Sequence, residues 1–136
     1  MSRRAMRFLI VEDEMLLALD IQHLLEDLGH DVVGVAEDAA GARALALQGA
    51  EFAIVDVNLK DGPTGREIGA ELAGRGVSVL FMTAHPALIS QEVEGAVGVL
   101  PKPLANEELE QAVRYLTAVR GGLSPPAPPA RLRAFH

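Results

Sequence analysis

The chain has 136 residues, 49% hydrophobic and 23% charged, which suits a single domain with its own core. Its net charge of −7 argues against direct binding to nucleic acid, which requires a basic surface. The absence of cysteine excludes disulfides and thiolate metal sites, and no apolar run approaches the roughly 20 residues of a membrane helix. We therefore expect a cytoplasmic protein without a membrane or nucleic-acid partner.

Apolar runs that alternate with helical patterns predict five strands and five helices along the chain. The strands are Arg7–Val11, Asp31–Ala36, Phe52–Val55, Val77–Met82 and Ala96–Leu100. Helices are predicted from the residues after Glu14 to Leu28, from Ala39 to Gln48, from Thr64 to Arg75, over a short stretch at 87–94, and from about Asn106 to Arg120.

The near-continuous apolar character of these strands is typical of a parallel sheet that helices cover on both faces. The predicted fold class is therefore α/β, with a five-stranded, doubly wound parallel sheet in the flavodoxin-like order 2-1-3-4-5. Residues 1–120 form the predicted domain, and residues 121–136 form a proline-rich tail. The composition of the tail is typical of disorder, but Leu132 and Phe135 could anchor it, and the sequence leaves both possibilities open.

Polar residues stand at the ends of four predicted strands. Glu12 and Asp13 follow the first strand, Asp56 the third, Thr83 the fourth and Lys102 the fifth. Ligands of such sheets bind beyond the carboxyl ends of the strands, and strands 1 and 3 are neighbours in the predicted order. We therefore expect the three carboxylates to meet in one small volume.

Three carboxylates at close range repel one another, and a divalent cation removes that penalty. Oxygen ligands without histidine or cysteine favour Mg²⁺. A carboxylate nucleophile, a hard metal, a hydroxyl and a lysine are together the parts of a phosphoryl-transfer site, with Asp56 as the nucleophile. Taken singly, each residue has an ordinary explanation, because acids start helices, Asp and Thr serve turns and caps, and lysines lie on surfaces.

Four short motifs at the strand ends carry a resemblance to a known family. They are Val-Glu-Asp-Glu at 11–14, Asp-Val-Asn-Leu at 56–59 with Gly62 beyond, Met-Thr-Ala at 82–84 and Lys-Pro at 102–103. In this order the chain, from residue 7 to about 120, resembles a bacterial response-regulator receiver domain. The resemblance implies that Asp56 accepts a phosphoryl group from a phosphohistidine on a sensor histidine kinase or a phosphotransfer protein.

The resemblance also implies a role for each remaining site residue. Glu12, Asp13 and Asp56 would hold Mg²⁺ together with the backbone carbonyl of Asn58. Thr83 resembles the switch hydroxyl that moves to the phosphoryl oxygen. Lys102 resembles the lysine that pairs with the phosphoryl group and precedes a cis bond to Pro103.

Two positions depart from the family pattern. Receivers usually carry an aromatic residue three positions before the lysine, where this chain has Val99, and a phenylalanine after Lys-Pro, where it has Leu104. The departures concern how the signal reaches the face made by the fourth helix, the fifth strand and the last helix. They leave the phosphorylation chemistry untouched.

The expected protein is a stand-alone receiver that catalyses only its own phosphorylation and dephosphorylation and signals through contact with an unidentified protein partner. It could form a homodimer. One alternative is a receiver excised from a hybrid kinase or a longer regulator. Another is a Mg²⁺-dependent phosphohydrolase of the haloacid-dehalogenase type, although that class needs a second Asp where this chain has Asn58. A third is a purely structural interaction module.

His85 and His30 are expected to be solvent-exposed.

Overall fold

The computed structural model describes residues 5–89 and 91–135, which form one mixed sheet with helices on both faces. The strands are β1 (Arg7–Val11), β2 (Asp31–Ala36), β3 (Phe52–Asp56), β4 (Ser78–Thr83), β5 (Gly98–Pro101) and β6 (Arg133–Ala134). The helices are α1 (Met15–Asp27), α2 (Ala39–Ala46), α3 (Gly65–Gly74) and α4 (Asn106–Arg120), and a 3₁₀ turn spans Pro86–Ile89.

The first five strands are parallel and follow the order β2-β1-β3-β4-β5, which confirms the predicted doubly wound topology. Their register brings the carboxyl ends together: Val11 pairs with Val55, Asp56 with Met82, and Thr83 with Pro101. Each strand therefore delivers its following loop to the same edge of the sheet.

Alternation along the strands divides the core into two layers, because successive side chains of a strand point to opposite faces. Leu9, Val55 and Phe81 face α2 and α3 in one layer. Phe8 and Ile54 face α1 and α4 in the other layer. The strands are apolar throughout because both faces are covered.

The predicted helix at 87–94 is wrong. Among the described residues, the connection between β4 and β5 contains the 3₁₀ turn at Pro86–Ile89 and then continues from residue 91 to β5 without a helix. Gly95 has φ +83°, a left-handed conformation that ends any right-handed helix at that point. Ile89, Val93 and Ala96 are nevertheless buried, so an irregular segment packs over this end of the sheet.

The tail adds a sixth, antiparallel strand. The sheet therefore has six strands, where the sequence predicted five strands that are all parallel. In β6, Ala134 pairs with Gly98 and Arg133 with Val99 of β5. Leu132 packs against the layer that contains α1 and α4, whereas Phe135 packs against the layer that contains α2 and α3. Of the two possibilities that the sequence leaves open for the tail, packing is the one observed.

His30 is buried, contrary to the expectation that it is solvated. It is 5% exposed, its Nδ1 accepts a hydrogen bond from the backbone N–H of Met6 at 3.2 Å, and its ring lies 5.1 Å from the ring of Phe8. It therefore closes the amino-terminal end of the sheet, opposite the predicted site. Residues 1–4, Ser90 and His136 lie outside the described part of the chain.

Candidate functional site

The acidic residues predicted from the strand ends meet in space. Glu12 follows β1, Asp13 begins the loop to α1, and Asp56 ends β3. One carboxylate oxygen from each residue lies within 4.8 Å of the other two. Glu12 and Asp56 are buried, while Asp13 is more open to solvent. The cluster therefore has two buried acids and one acid at its mouth.

Lys102 reaches into this cluster from the loop after β5. Its Nζ lies 2.8 Å from Asp56 Oδ2, to which it donates a hydrogen bond, and 2.8 Å from Glu12 Oε1. Its side chain is 14% exposed, so most of this ion pairing is shielded from water. The structure thus gives Lys102 two carboxylate partners, Asp56 and Glu12, at the position where the resemblance implies a partner for the phosphoryl group.

Burial dominates the electrostatics of the cluster. It raises the pKa of Glu12 to about 7, with Asp56 adding to the rise while Lys102 and the backbone N–H of Glu14 oppose it. Burial would by itself lower the pKa of Lys102, but its contacts with Asp56 and Glu12 raise it above its ordinary value. Lys102 therefore stays charged, whereas burial disfavours the ionised form of Glu12.

One buried oxygen of the cluster is served only by a shared lysine. Glu12 Oε1 has no other partner among the described residues than Lys102 Nζ at 2.8 Å, and that lysine also pairs with Asp56. Buried carboxylate oxygens are normally satisfied by hydrogen bonds or by a metal. An oxygen-ligated cation such as Mg²⁺ fits this donor set of carboxylates without histidine or thiolate.

Thr83 and Asn58 lie beside the carboxylates in different ways. Asn58 donates its backbone N–H to Asp56 Oδ1 at 3.2 Å, so the chain after β3 folds back onto the acid. Thr83 is fully buried at the end of β4, and its hydroxyl accepts the backbone N–H of His85 at 2.9 Å. The backbone N–H of Lys102 donates to the carbonyl of Thr83 at 2.8 Å, which joins the loops after β4 and β5.

His85 is exposed, as expected, and its contact with the site is through its backbone N–H. This contact is not predictable from the sequence, because a backbone hydrogen bond leaves no signature in residue type. Lys102–Pro103 is a cis peptide bond, as the family resemblance implies.

Gly65 is a site residue that the sequence argument missed. A Cβ atom at this first residue of α3 would lie 1.9 Å from the carbonyl oxygen of Asp56 and 2.6 Å from the Cα of Val57. The Gly65 N–H donates to the carbonyl of Val57 at 3.0 Å. Absence of a side chain therefore lets α3 start directly against the backbone of the central acid. Gly65 falls just inside the helix predicted from Thr64 to Arg75, and the sequence carries no signal of its close contact with the backbone of Asp56.

A groove of about 450 Å³ opens beside Lys102, between α1 and the loops after β4 and β5. Its lining residues are Glu14, Leu17, Asp20, Ala84, Lys102, Pro103 and Leu104. Next to it, the first turns of α1 expose three apolar side chains: Met15 is 48% exposed, Leu16 81% and Leu19 42%. An apolar surface therefore borders the acidic cluster.

The fold and the carboxyl-end acid cluster are those expected of a signalling receiver domain, and the comparisons with known proteins identify the family. The sequence matches the response regulator receiver domain family over residues 8–114, and the chain belongs to this family. It is 38% identical over 85 residues to the phyllosphere-induced regulator PhyR of Methylorubrum extorquens, covering 60% of this chain and 32% of that protein. It is 30% identical over 120 residues to the transcriptional regulatory protein LytR of Staphylococcus aureus, covering 85% of this chain and 48% of that protein.

The solved structures agree. The receiver domain of the PhyR response regulator of Erythrobacter litoralis superimposes with a TM-score of 0.72 at 26% identity, covering 90% of this chain and 96% of that one. The chain spans about a third to a half of the length of the two curated relatives named above. Family membership decides against the phosphohydrolase alternative, whereas a receiver from a longer regulator remains compatible.

Among the described residues, no helix combines the length and apolarity needed to cross a membrane.

Proposed function

We propose that this receiver accepts a phosphoryl group on Asp56 in a Mg²⁺-dependent reaction. The observation that carries the proposal is the convergence of Glu12, Asp13 and Asp56, with carboxylate oxygens within 4.8 Å, around a lysine that contacts two of them. Ordinary ion pairing does not account for this arrangement, because three acids meet in one place and the one lysine there contacts only two of them.

The metal ligands in this proposal are Glu12, Asp13, Asp56 and the backbone carbonyl of Asn58, the last on the family resemblance alone. Bound Mg²⁺ would neutralise the acids and the charge that builds up on the transferred phosphoryl group. Its affinity depends on both buried acids being ionised, which the raised pKa of Glu12 opposes.

The reaction is an in-line transfer from nitrogen to oxygen. An oxygen of Asp56 attacks phosphorus, the N–P bond of the donor phosphohistidine breaks, and the released imidazole nitrogen takes a proton. Lys102 exchanges its contact with Asp56 for one with the phosphoryl oxygens. The hydroxyl of Thr83 donates to the same group. Both residues hold charge in place, and the acid performs the covalent step.

The donor in this proposal is a sensor histidine kinase or a phosphotransfer protein, and the exposed apolar turns of α1 beside the groove are its docking surface. The output is contact with a downstream protein in the cytoplasm, and the receiver domain ends near residue 120, before the tail. PhyR from Bartonella quintana, whose solved structure this chain resembles, is an anti-anti-sigma factor. A regulatory protein of the sigma-factor system is therefore a reasonable class of partner to test.

The experiment is intact-mass spectrometry after incubation with acetyl phosphate, with Mg²⁺ and with EDTA. Wild type is expected to gain one phosphoryl group in Mg²⁺ and none in EDTA, and Asp56→Asn none in either. Asp20→Asn is the matched control, because Asp20 is an exposed acid that lines the neighbouring groove. Labelling of Asp56→Asn to the wild-type extent would refute the assignment of the acceptor.

A further inference from the structure

The C-terminal strand lies on the sheet edge next to the candidate site. Residues 131–135, here called the strap, include β6 and run antiparallel to β5, while every other pairing in the sheet is parallel. The backbone N–H of Phe135 donates to the carbonyl of Val97 at 2.8 Å. Unpaired sheet edges are the surfaces on which other strands dock. The strap therefore covers a ready binding surface.

The sequence of β5 is adapted to this cover. A Cβ atom at Gly98 would lie 2.6 Å from the carbonyl oxygen of Arg133 and 3.2 Å from the Cα of Ala134. A residue with a side chain would push the strap off the edge. Leu132 and Phe135 then reach into opposite layers of the core, so the strap caps the sheet from both sides.

Two arginines fasten the strap to the loops that carry the switch residues. Arg131 binds both carboxylate oxygens of Glu108, with Nε–Oε2 at 2.7 Å and Nη2–Oε1 at 2.5 Å, and its Nη2 also donates to the carbonyl of Pro103 at 2.7 Å. Pro103 directly follows Lys102. Arg133 donates to the carbonyl of Ile89, the last residue of the 3₁₀ turn in the loop after Thr83.

Phosphorylation at Asp56 disturbs both attachment points. The 2.8 Å between Asp56 Oδ2 and Lys102 Nζ leaves no room for a phosphoryl group on that oxygen, so Nζ has to shift onto the phosphoryl oxygens, and release of the strap requires the adjoining Pro103 to follow. When the Thr83 hydroxyl turns to the phosphoryl oxygen, it gives up its hydrogen bond with the N–H of His85, which leads into the 3₁₀ turn. Arg131 and Arg133 contact these loops in the positions that the loops occupy before phosphorylation, so movement of the loops weakens both contacts.

We propose that the strap is an autoinhibitory contact: it covers the β5 edge in the unphosphorylated chain and is released when Asp56 is phosphorylated. The release rests on the proposed function, since it needs the phosphoryl group at Asp56. The strap is well placed to be released, because it adds only the two-residue strand β6 and because the Arg131 side chain is 46% exposed, so solvent screens the ion pair with Glu108.

The first test is hydrogen–deuterium exchange of the full chain, followed at the strap amides. Saturating Mg²⁺ and beryllium fluoride, which mimics the aspartyl phosphate, is expected to speed strap exchange at least 5-fold. The strap of Asp56→Asn is expected not to respond. Beryllium fluoride binding without any change in strap exchange overturns the strap proposal and leaves the proposed function standing. Failure of wild type to bind beryllium fluoride or to be phosphorylated counts against the proposed function instead.

The second test uses reciprocity, because two coupled events change each other's equilibrium by the same factor. Gly98→Ala is expected to open the strap without any ligand and to tighten beryllium fluoride binding by the factor measured in the exchange experiment. Gly74→Ala is the matched control, since a Cβ there meets nothing within 4 Å. Faster strap exchange in Gly98→Ala with unchanged beryllium fluoride affinity overturns the coupling.

A third variant guards against misfolding of Gly98→Ala, because it leaves β5 untouched. Arg131→Met removes the contacts to Glu108 and Pro103, and it is expected to shift strap exchange and beryllium fluoride affinity in the same direction. Arg114→Met is its control: that side chain is also 46% exposed and pairs with Glu110 within α4. Equal behaviour of the two arginine variants contradicts the strap.

Discussion

At the scale of one residue, Glu12 lowers the stability of the metal-free protein at neutral pH and provides a carboxylate that could bind a cation. Its side chain is fully buried, and burial raises its pKa from 4.5 to about 7. Because the folded pKa lies above the unfolded one, the favourable contribution of protonated Glu12 is complete below pH 4.5 and is lost as the pH rises through 7. At neutral pH and above, the metal-free protein therefore carries a charge that the fold disfavours.

Glu12→Gln is expected to stabilise the metal-free protein more at pH 8 than at pH 5, because glutamine keeps the shape and cannot ionise. The extra gain at pH 8 is on the order of 1 to 2 kcal/mol in the free energy of unfolding. Urea unfolding in EDTA at the two pH values measures it. In Mg²⁺ we expect the wild type to be more stable than Glu12→Gln, because the wild type binds the ion more tightly and gains stability by mass action. A gain that is equal at both pH values would show that Glu12 is ionised throughout.

Lys102→Ala separates phosphorylation from its consequence. Asp56 and Mg²⁺ still perform the transfer, so we expect slower but measurable labelling by acetyl phosphate in intact-mass spectrometry. Strap release is expected to be only partial in the labelled variant, because alanine leaves room for the phosphoryl group and the Pro103 loop need not move, whereas Thr83 still acts on the attachment of Arg133 to Ile89. Full strap release in labelled Lys102→Ala would show that the signal does not run through Lys102.

At the scale of elements, α3 is positioned by a missing side chain. Gly65→Ala would place a Cβ atom 1.9 Å from the carbonyl oxygen of Asp56, so either α3 or the end of β3 has to shift. We expect a loss of about 1 to 3 kcal/mol in the free energy of unfolding and slower labelling of Asp56. Gly74→Ala, at the far end of the same helix, is expected to be neutral or slightly stabilising. Equal stability of the two variants would refute the close-packing argument.

The elements also show what the sequence alone can and cannot predict. The strands of the parallel core and the acids at their ends were predictable because apolar runs and strand-end position determine them. The segment at 87–94 was mispredicted because a short stretch with burial at Ile89 and Val93 resembles a helix until the backbone turns at Gly95. Contacts between distant segments, such as that of Gly65 with Asp56, have no local signature in the sequence.

At the scale of the whole molecule, β6 connects the C-terminal tail to the sheet that carries the site. The sequence offers Phe135 and Leu132 as possible anchors of the tail without deciding between packing and disorder, and it does not indicate the edge that they bind. That edge is β5, the last strand of the parallel order, which pairs with the strap at Gly98 and Val99. The site and the strap are therefore parts of one sheet: acids meet at the carboxyl end, and the outer strand is fastened to the loops around them.

The α1 surface predicts which change blocks the donor without disabling the chemistry. Leu16 is 81% exposed on the first turns of α1, beside the groove and the acidic cluster, and exposed apolar side chains of this kind are typical of protein interfaces. Purified histidine kinase and phosphotransfer domains, screened for rapid transfer, identify a donor. Leu16→Glu is then expected to slow transfer from that donor at least 10-fold while labelling by acetyl phosphate stays unchanged.

Leu47→Glu provides the matched control for this experiment. Leu47 is 80% exposed, but it caps the C-terminal end of α2 and is not among the residues that line the groove. We expect it to accept phosphoryl groups from the donor at the wild-type rate, because the added charge lies away from the docking surface. If both leucine variants slow the transfer equally, the effect is one of general surface charge. If neither does, the donor docks elsewhere, and α1 presents its apolar turns to another partner.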